Sequence, residues 1–251
     1  MSVPAHARND SEEPLQPQAH TAAPARWLSF AFAFVGGYGD AAGFVLAKTF
    51  TGHITGSMVL AAISLSARDW RTLLPHLTAI GCFLSGVLFS VSFARLVAWP
   101  PWSLLRAIIG IEVALVIAGH FAWASHASSR IEIFVACLSL ALGLQNGAFR
   151  RVGGISVHTT YLTGLITGLI AFEAEAHTPQ TTTHAALPPA GKRSLLYGIW
   201  ITFFLGADFG AAMAFRFPQF SLLGIAVILL ALIAAQAVPD PRAPRATPHT
   251  S

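Results

Sequence analysis

Apolar stretches of roughly 17–25 residues, each enough to cross about 30 Å of hydrocarbon, recur along nearly the whole chain between Trp27 and Ala237. Hydrophobic residues make up 54% of the 251 positions and charged residues 10%, with a mean hydropathy of +0.62. A soluble domain of that composition would lack the polar surface to cover its core. The expected fold is therefore all-α: a polytopic transmembrane helix bundle, multi-pass in the membrane.

Composition shifts divide the chain. Residues 1–26 carry Asp10, Glu12, Glu13 and several prolines ahead of any apolar run, the wrong order for a basic secretory leader, and read as a disordered tail. Residues 238–251 read the same way. Residues 174–193, with Thr181-Thr182-Thr183 and Pro188-Pro189, are expected to be a connecting loop within a single transmembrane domain, 27–237. Helices are expected near 27–48, 55–66, 72–97, 102–124, 131–149, 157–173, 194–215 and 219–237. The second is too short to span alone, so it is read as half of a broken helix or a re-entrant piece, giving about 6–8 membrane segments. Trp27, Trp70, Trp99, Trp102 and Trp123 fall near helix ends, where indoles favour the interface.

A pI near 9.6 points to anionic lipid headgroups beside juxtamembrane arginines. No dense basic run with interleaved aromatics exists, so nucleic acid is not an expected partner. Cys82 and Cys137 lie in apolar segments without metal-ligand spacing; no metal or other cofactor is expected. No ATP-binding glycine loop is present either.

One motif occurs twice. Gly37-Tyr38-Gly39-Asp40-Ala41-Ala42 precedes His53-Ile54-Thr55-Gly56, and Gly143-Leu144-Gln145-Asn146-Gly147-Ala148 precedes Tyr161-Leu162-Thr163-Gly164. Each copy reads as glycine and a polar residue breaking an apolar helix, with Gly37, Gly39, Gly56, Gly143 and Gly164 as the breaking glycines. In hydrocarbon such a break must line a cavity or meet protein partners. The copies imply halves of about 27–124 and 131–237, parallel with four helices each or inverted with three. Internal repeats with glycine-interrupted segments point to a substrate site near the bilayer midplane in secondary transporters.

Ionisable residues at membrane depth are the second signal, because each costs about 2.5–3.5 kcal/mol on insertion scales and usually turns inward. Asp40, Glu112 and Asp208 qualify, and each has a bland alternative. Asp40 can simply accept backbone N–H groups, Glu112 can pair with Arg106, and Asp208, between Gly206 and Gly210, can bond across a helix interface. His53 and His158 precede the segments after each motif, where they would titrate or cap. Thr55, Ser57, Thr159, Thr160 and Thr163 would bind a polar solute through hydroxyls or cap helix N-termini, whose dipoles suit an anion. The small-residue pairs Gly81/Ser85, Gly164/Gly168 and Gly206/Gly210 read as close helix packing.

The run from Gly37 to Phe44, the stretch from Phe50 to Ser57, Gly143-Leu144-Gln145-Asn146 and the segment from Thr159 to Gly164 resemble the YoaK-like family of bacterial membrane proteins, a domain of unknown function. The resemblance covers residues from about 27 to 237 and implies a multi-pass protein of the bacterial inner membrane. It implies no substrate or catalytic residue. The family's first motif commonly reads His-Met-Thr-Gly-Asn, so Ile54 and Ser57 depart from it, and Ser57 removes an amide at that position.

The expected function is a secondary transporter or permease for a small polar or anionic solute, proton coupling included, centred on Asp40 and its counterpart Asn146. The alternative is a non-transporting membrane scaffold or sensor; a homo-oligomer is compatible with either reading. An enzyme is not expected: His53 and Ser57 stand one helical turn apart, but no oxyanion site or orienting third group accompanies them.

Overall fold

The computed structural model describes residues 26–97, 99–125, 127–148 and 190–237, with positions 164, 167 and 170 as helical. The described residues form seven helices: α1 (Arg26–Ala47), α2 (Ile54–Ser66), α3 (Trp70–Leu96), α4 (Pro101–Ala124), α5 (Arg130–Ala148), α6 (Ala190–Arg216) and α7 (Ser221–Ala237). Five of them, α1, α3, α4, α5 and α6, are long and apolar enough to cross a membrane, and α2 and α7 are shorter apolar helices. The outer faces are apolar, with Leu88, Phe121, Phe204 and Val227 exposed, as hydrocarbon requires. The chain is a multi-pass helical membrane protein.

Boundaries follow local chemistry. Lys48 ends α1 in the left-handed region (φ 55°), and Arg68 after α2 does the same. Pro101 opens α4 where no N–H is needed. Asp69 caps α3, accepting from the N–H groups of Arg71 at 3.1 Å and Thr72 at 3.2 Å. Bonds from Thr72, then the Arg71 amide, hold the exposed Asp69 carboxyl below its ordinary range. A depressed carboxyl stabilises the folded state above its unfolded pKa and loses that contribution as pH falls. Asp69→Ala is therefore expected to lower the thermal midpoint at neutral pH and to converge with wild type in acid, read by intrinsic fluorescence in detergent. Two expectations shift here. Residues 190–193 belong to α6 rather than to a loop, and the helix expected at 157–173 lies outside the described residues apart from positions 164, 167 and 170.

The larger correction concerns the glycines. Neither motif breaks its helix: α1 runs through Gly37, Gly39 and Gly43, and α5 through Gly143 and Gly147. Gly56 lies in the first turn of α2, and position 164 is helical. Their role is proximity. A Cβ on Gly37 would sit 2.1 Å from the Phe203 carbonyl oxygen of α6, and one on Gly206 would sit 2.1 Å from that of Phe34. The same reciprocal clasp joins α3 and α5, where a Cβ on Gly143 would lie 2.2 Å from the Phe83 oxygen and one on Gly86 would lie 2.4 Å from that of Leu140. Glycine allows backbones to touch because it removes the side chain that would hold them apart. Gly206/Gly210 packs as expected, whereas Gly81 has nothing within 4 Å of its Cβ position and Gly86 carries the α3 contact.

These contacts set directions. Gly206 meets Phe34 and Gly210 meets Tyr38, so α1 and α6 are parallel; Gly143 meets Phe83 and Gly147 meets Val87 and Ser90, so α3 and α5 are parallel. Gln145 Nε2 donates to the Phe32 carbonyl at 2.8 Å while Gly39 faces Leu138 and Leu142, so α1 and α5 run antiparallel. The Tyr38 hydroxyl, fully buried, donates to the Ser221 carbonyl and ties α1 to the start of α7.

Candidate functional site

The chain does break, but after α1 rather than within it. From Lys48 the connector 48–53 turns back along the last turns of α1, placing Thr51 beside Gly39 and Gly43, and α2 then starts level with Asp40. Gly43 permits this return, since a Cβ there would lie 2.9 Å from the Thr51 methyl. The tight turn from Ser64 to Thr72, whose hydroxyls bond at 3.0 Å, makes α2 antiparallel to α3. Because α3 is parallel to α5 and antiparallel to α1, α2 continues in the direction of α1. The two helices therefore run in the same direction, joined by a connector that folds back along the end of α1.

Asp40, 5% exposed, organises that joint. Its Oδ1 accepts the backbone N–H groups of Thr51 (2.9 Å), Gly52 (2.6 Å) and His53 (3.2 Å), and its Oδ2 meets His53 Nδ1 at 2.8 Å. The N-terminus of α2 has no side-chain cap; Asp40 instead binds the connector amides just ahead of it, eleven to thirteen positions downstream of the carboxyl. His53 is half-buried, with Phe50 of the connector at 6.0 Å and Phe203 of α6 at 6.1 Å between ring centroids. Its Nδ1 faces Asp40, and Nε2 has no hydrogen bond among the described residues.

The other candidates sort as follows. Ser57, fully buried, donates its hydroxyl to the Phe50 carbonyl at 2.6 Å, not to His53. Thr55 is exposed and takes no capping role. Asn146 donates to the Leu142 carbonyl at 2.9 Å within α5. Glu112 is 1% exposed with neither oxygen bonded, and Arg106 instead donates to the Trp102 carbonyl at 3.3 Å, so the expected pair does not form. Asp208 is exposed, because Gly206 and Gly210 face α1 and a residue between them points to the opposite side of α6. It makes no bond across that interface. His158, Thr159, Thr160 and Thr163 lie outside the described residues. Sequence reading missed Thr49, which meets His76 Nδ1 of α3 at 3.1 Å, and Thr51, which donates to the Gly39 carbonyl at 3.3 Å. Both depend on the fold-back, for which the only sequence signal is the polar run Lys48-Thr49-Phe50-Thr51-Gly52-His53 between apolar segments.

Among known proteins, the chain is similar to the UPF0700 transmembrane protein YoaK of Bacillus subtilis (strain 168), 26% identical over 128 residues. That match covers 50% of this chain and 56% of YoaK, so it spans about half the length of the relative. No solved structure matches. The family model described as "Protein of unknown function (DUF1275)" matches residues 28–236, and the chain belongs to that family.

Proposed function

We propose that this protein is a secondary transporter for a small polar or anionic solute in the bacterial inner membrane, with proton coupling through the Asp40–His53 pair. The observation that carries the reading is the interrupted α1/α2 crossing, whose joint holds a buried carboxylate bonded to a half-exposed, titratable imidazole. Discontinuous helices with backbone polar groups at depth are the construction that transporters use for substrate and ion sites. In this arrangement His53 meets the solute or its proton, and Asp40 positions the ring and the N-terminus of α2.

The halves support the same reading. The α1/α6 and α3/α5 clasps are alike, with Gly37 matched to Gly143 and Gly206 to Gly86, and α1 runs antiparallel to α5. We read this as an internal repeat of inverted topology, three crossings per half, with α1 and α2 counted as one. Asp40 then corresponds to Asn146, a carboxyl in one half where the other half carries a carboxamide.

The test is a thermal-shift screen of purified protein against small anions, sugars, amino acids and nucleobases, followed by flux into proteoliposomes. Stabilisation should scale as RT ln(1 + [L]/Kd). A hit that is lost in His53→Gln and carried through to pH-dependent flux is the expected outcome. Binding without flux, or no hit at all, would sink transport and favour a scaffold or sensor, a reading that has in its favour the complete hydrogen bonding of Asp40.

A further inference from the structure

Glu112 is a buried acid that the joint does not use. It stands in the middle of α4, 1% exposed, with both carboxyl oxygens sealed from solvent and without a hydrogen-bond partner among the described residues. Helices α5 and α7 pack on α4. Gly119 of α4 lies against Phe134 and Cys137 of α5 and against Leu222 of α7, and the Trp123 ring packs at a tilt on Phe134 with ring centroids 5.3 Å apart. Carried back along the antiparallel helices, that register sets Glu112 level with Ala141–Leu144 on α5 and with Leu229 on α7.

Among the described residues, no charge stands at that depth to compensate an anion. On α4 the flanking titratable groups are Arg106, bonded to the Trp102 carbonyl, and His120. On α5 they are Arg130, Glu132 and Cys137, all towards the far end, and α7 carries none. Within about one turn of the same level lies Gln145, 2% exposed, whose Nε2 is committed to Phe32 and whose Oε1 is unpaired. An ionised carboxylate sealed from water without a counter-charge is untenable, whereas the neutral acid needs one acceptor, and an unpaired carboxamide oxygen is of the right type.

We infer that Glu112 is a second proton-binding site of the bundle, separate from Asp40–His53, which holds its proton occluded and exchanges it with water only when α4 parts from α5 and α7. The inference concerns binding of a proton and stands whether or not the protein moves a solute.

Infrared spectroscopy of the full chain in lipid vesicles tests it without any solute. At neutral pH the wild type should show a protonated-carboxyl C=O band that Glu112→Gln removes and Asp40→Asn leaves in place. In deuterated buffer that band should shift slowly, while exposed groups exchange at once. Glutamine nearly matches the neutral acid in shape; should that variant fail to fold, Glu112→Leu serves as the second, and the exchange rate is read on wild type alone. Absence of the band, its persistence in both variants, or immediate exchange would overturn the inference. So would stabilisation by sodium that depends on Glu112, since the site would then hold a metal cation in place of a proton.

Discussion

Gly37→Ala and Gly206→Ala are each expected to destabilise the bundle severely. A Cβ at either position would lie 2.1 Å from a backbone carbonyl oxygen of the partner helix, and backbone cannot swing aside as a side chain can. Overpacking typically costs about 1–3 kcal/mol, and a backbone collision falls at or above the upper end because α1 and α6 must separate along their length to relieve it. Gly143→Ala, 2.2 Å from the Phe83 oxygen, should behave alike at the α3/α5 contact. Gly81→Ala and Gly110→Ala meet nothing within 4 Å and supply the control. They should be neutral or stabilising by up to about 1 kcal/mol, the gain in helix propensity. Thermal unfolding followed by fluorescence-detected size exclusion ranks all five. If Gly37→Ala and Gly81→Ala came out equal, the close parallel contact of α1 with α6 would be wrong.

Asp40→Ala should cost about 3–5 kcal/mol, since removing one partner from a buried, hydrogen-bonded ionic pair leaves its other members unsatisfied. The orphaned groups are the N–H donors of Thr51, Gly52 and His53 together with the His53 ring. Asp40→Asn should cost less, because a carboxamide oxygen still accepts from the joint while the charge on which His53 depends is gone. The order wild type, Asn, Ala in thermal midpoint follows. A double-mutant cycle with His53→Gln should give a non-zero coupling energy, because the two side chains share a bond of 2.8 Å. Equal losses in Asp40→Asn and Asp40→Ala would mean that the carboxylate does not hold the joint.

Helix positions were legible in the sequence. The expected segments at 27–48, 55–66, 72–97, 102–124, 131–149 and 219–237 agree with α1, α2, α3, α4, α5 and α7 to within about two residues, and α6 starts four residues ahead of its expected position. Long apolar runs bounded by Asp69, Pro100-Pro101 or tryptophans carry that information locally. The chemistry was partly legible: Asp40, Glu112 and Asp208 stood out as ionisable groups at membrane depth, and His53 as a group ahead of the segment that follows the first motif. What each does was not. The glycines around Asp40 looked like breaks because glycine weakens a helix, yet Gly37, Gly39 and Gly43 each admit a different neighbour, from α6, α5 and the returning connector. Asp208 has the same local signature as Asp40 and faces outward.

The sequence alone determined that this chain spans a membrane as helices, since hydrocarbon leaves a backbone no partner but itself, a condition met within each segment. Only the tertiary structure decided that α1 continues unbroken to Ala47 and that the connector doubles back. It also decided that the carboxylate of Asp40 binds backbone amides of the connector eleven to thirteen residues further on. Such contacts pair groups from different helices, and a pairing between distant positions has no periodicity along the chain. It follows from which backbones can approach, and here that is set by the placing of a few glycines against carbonyls on other helices.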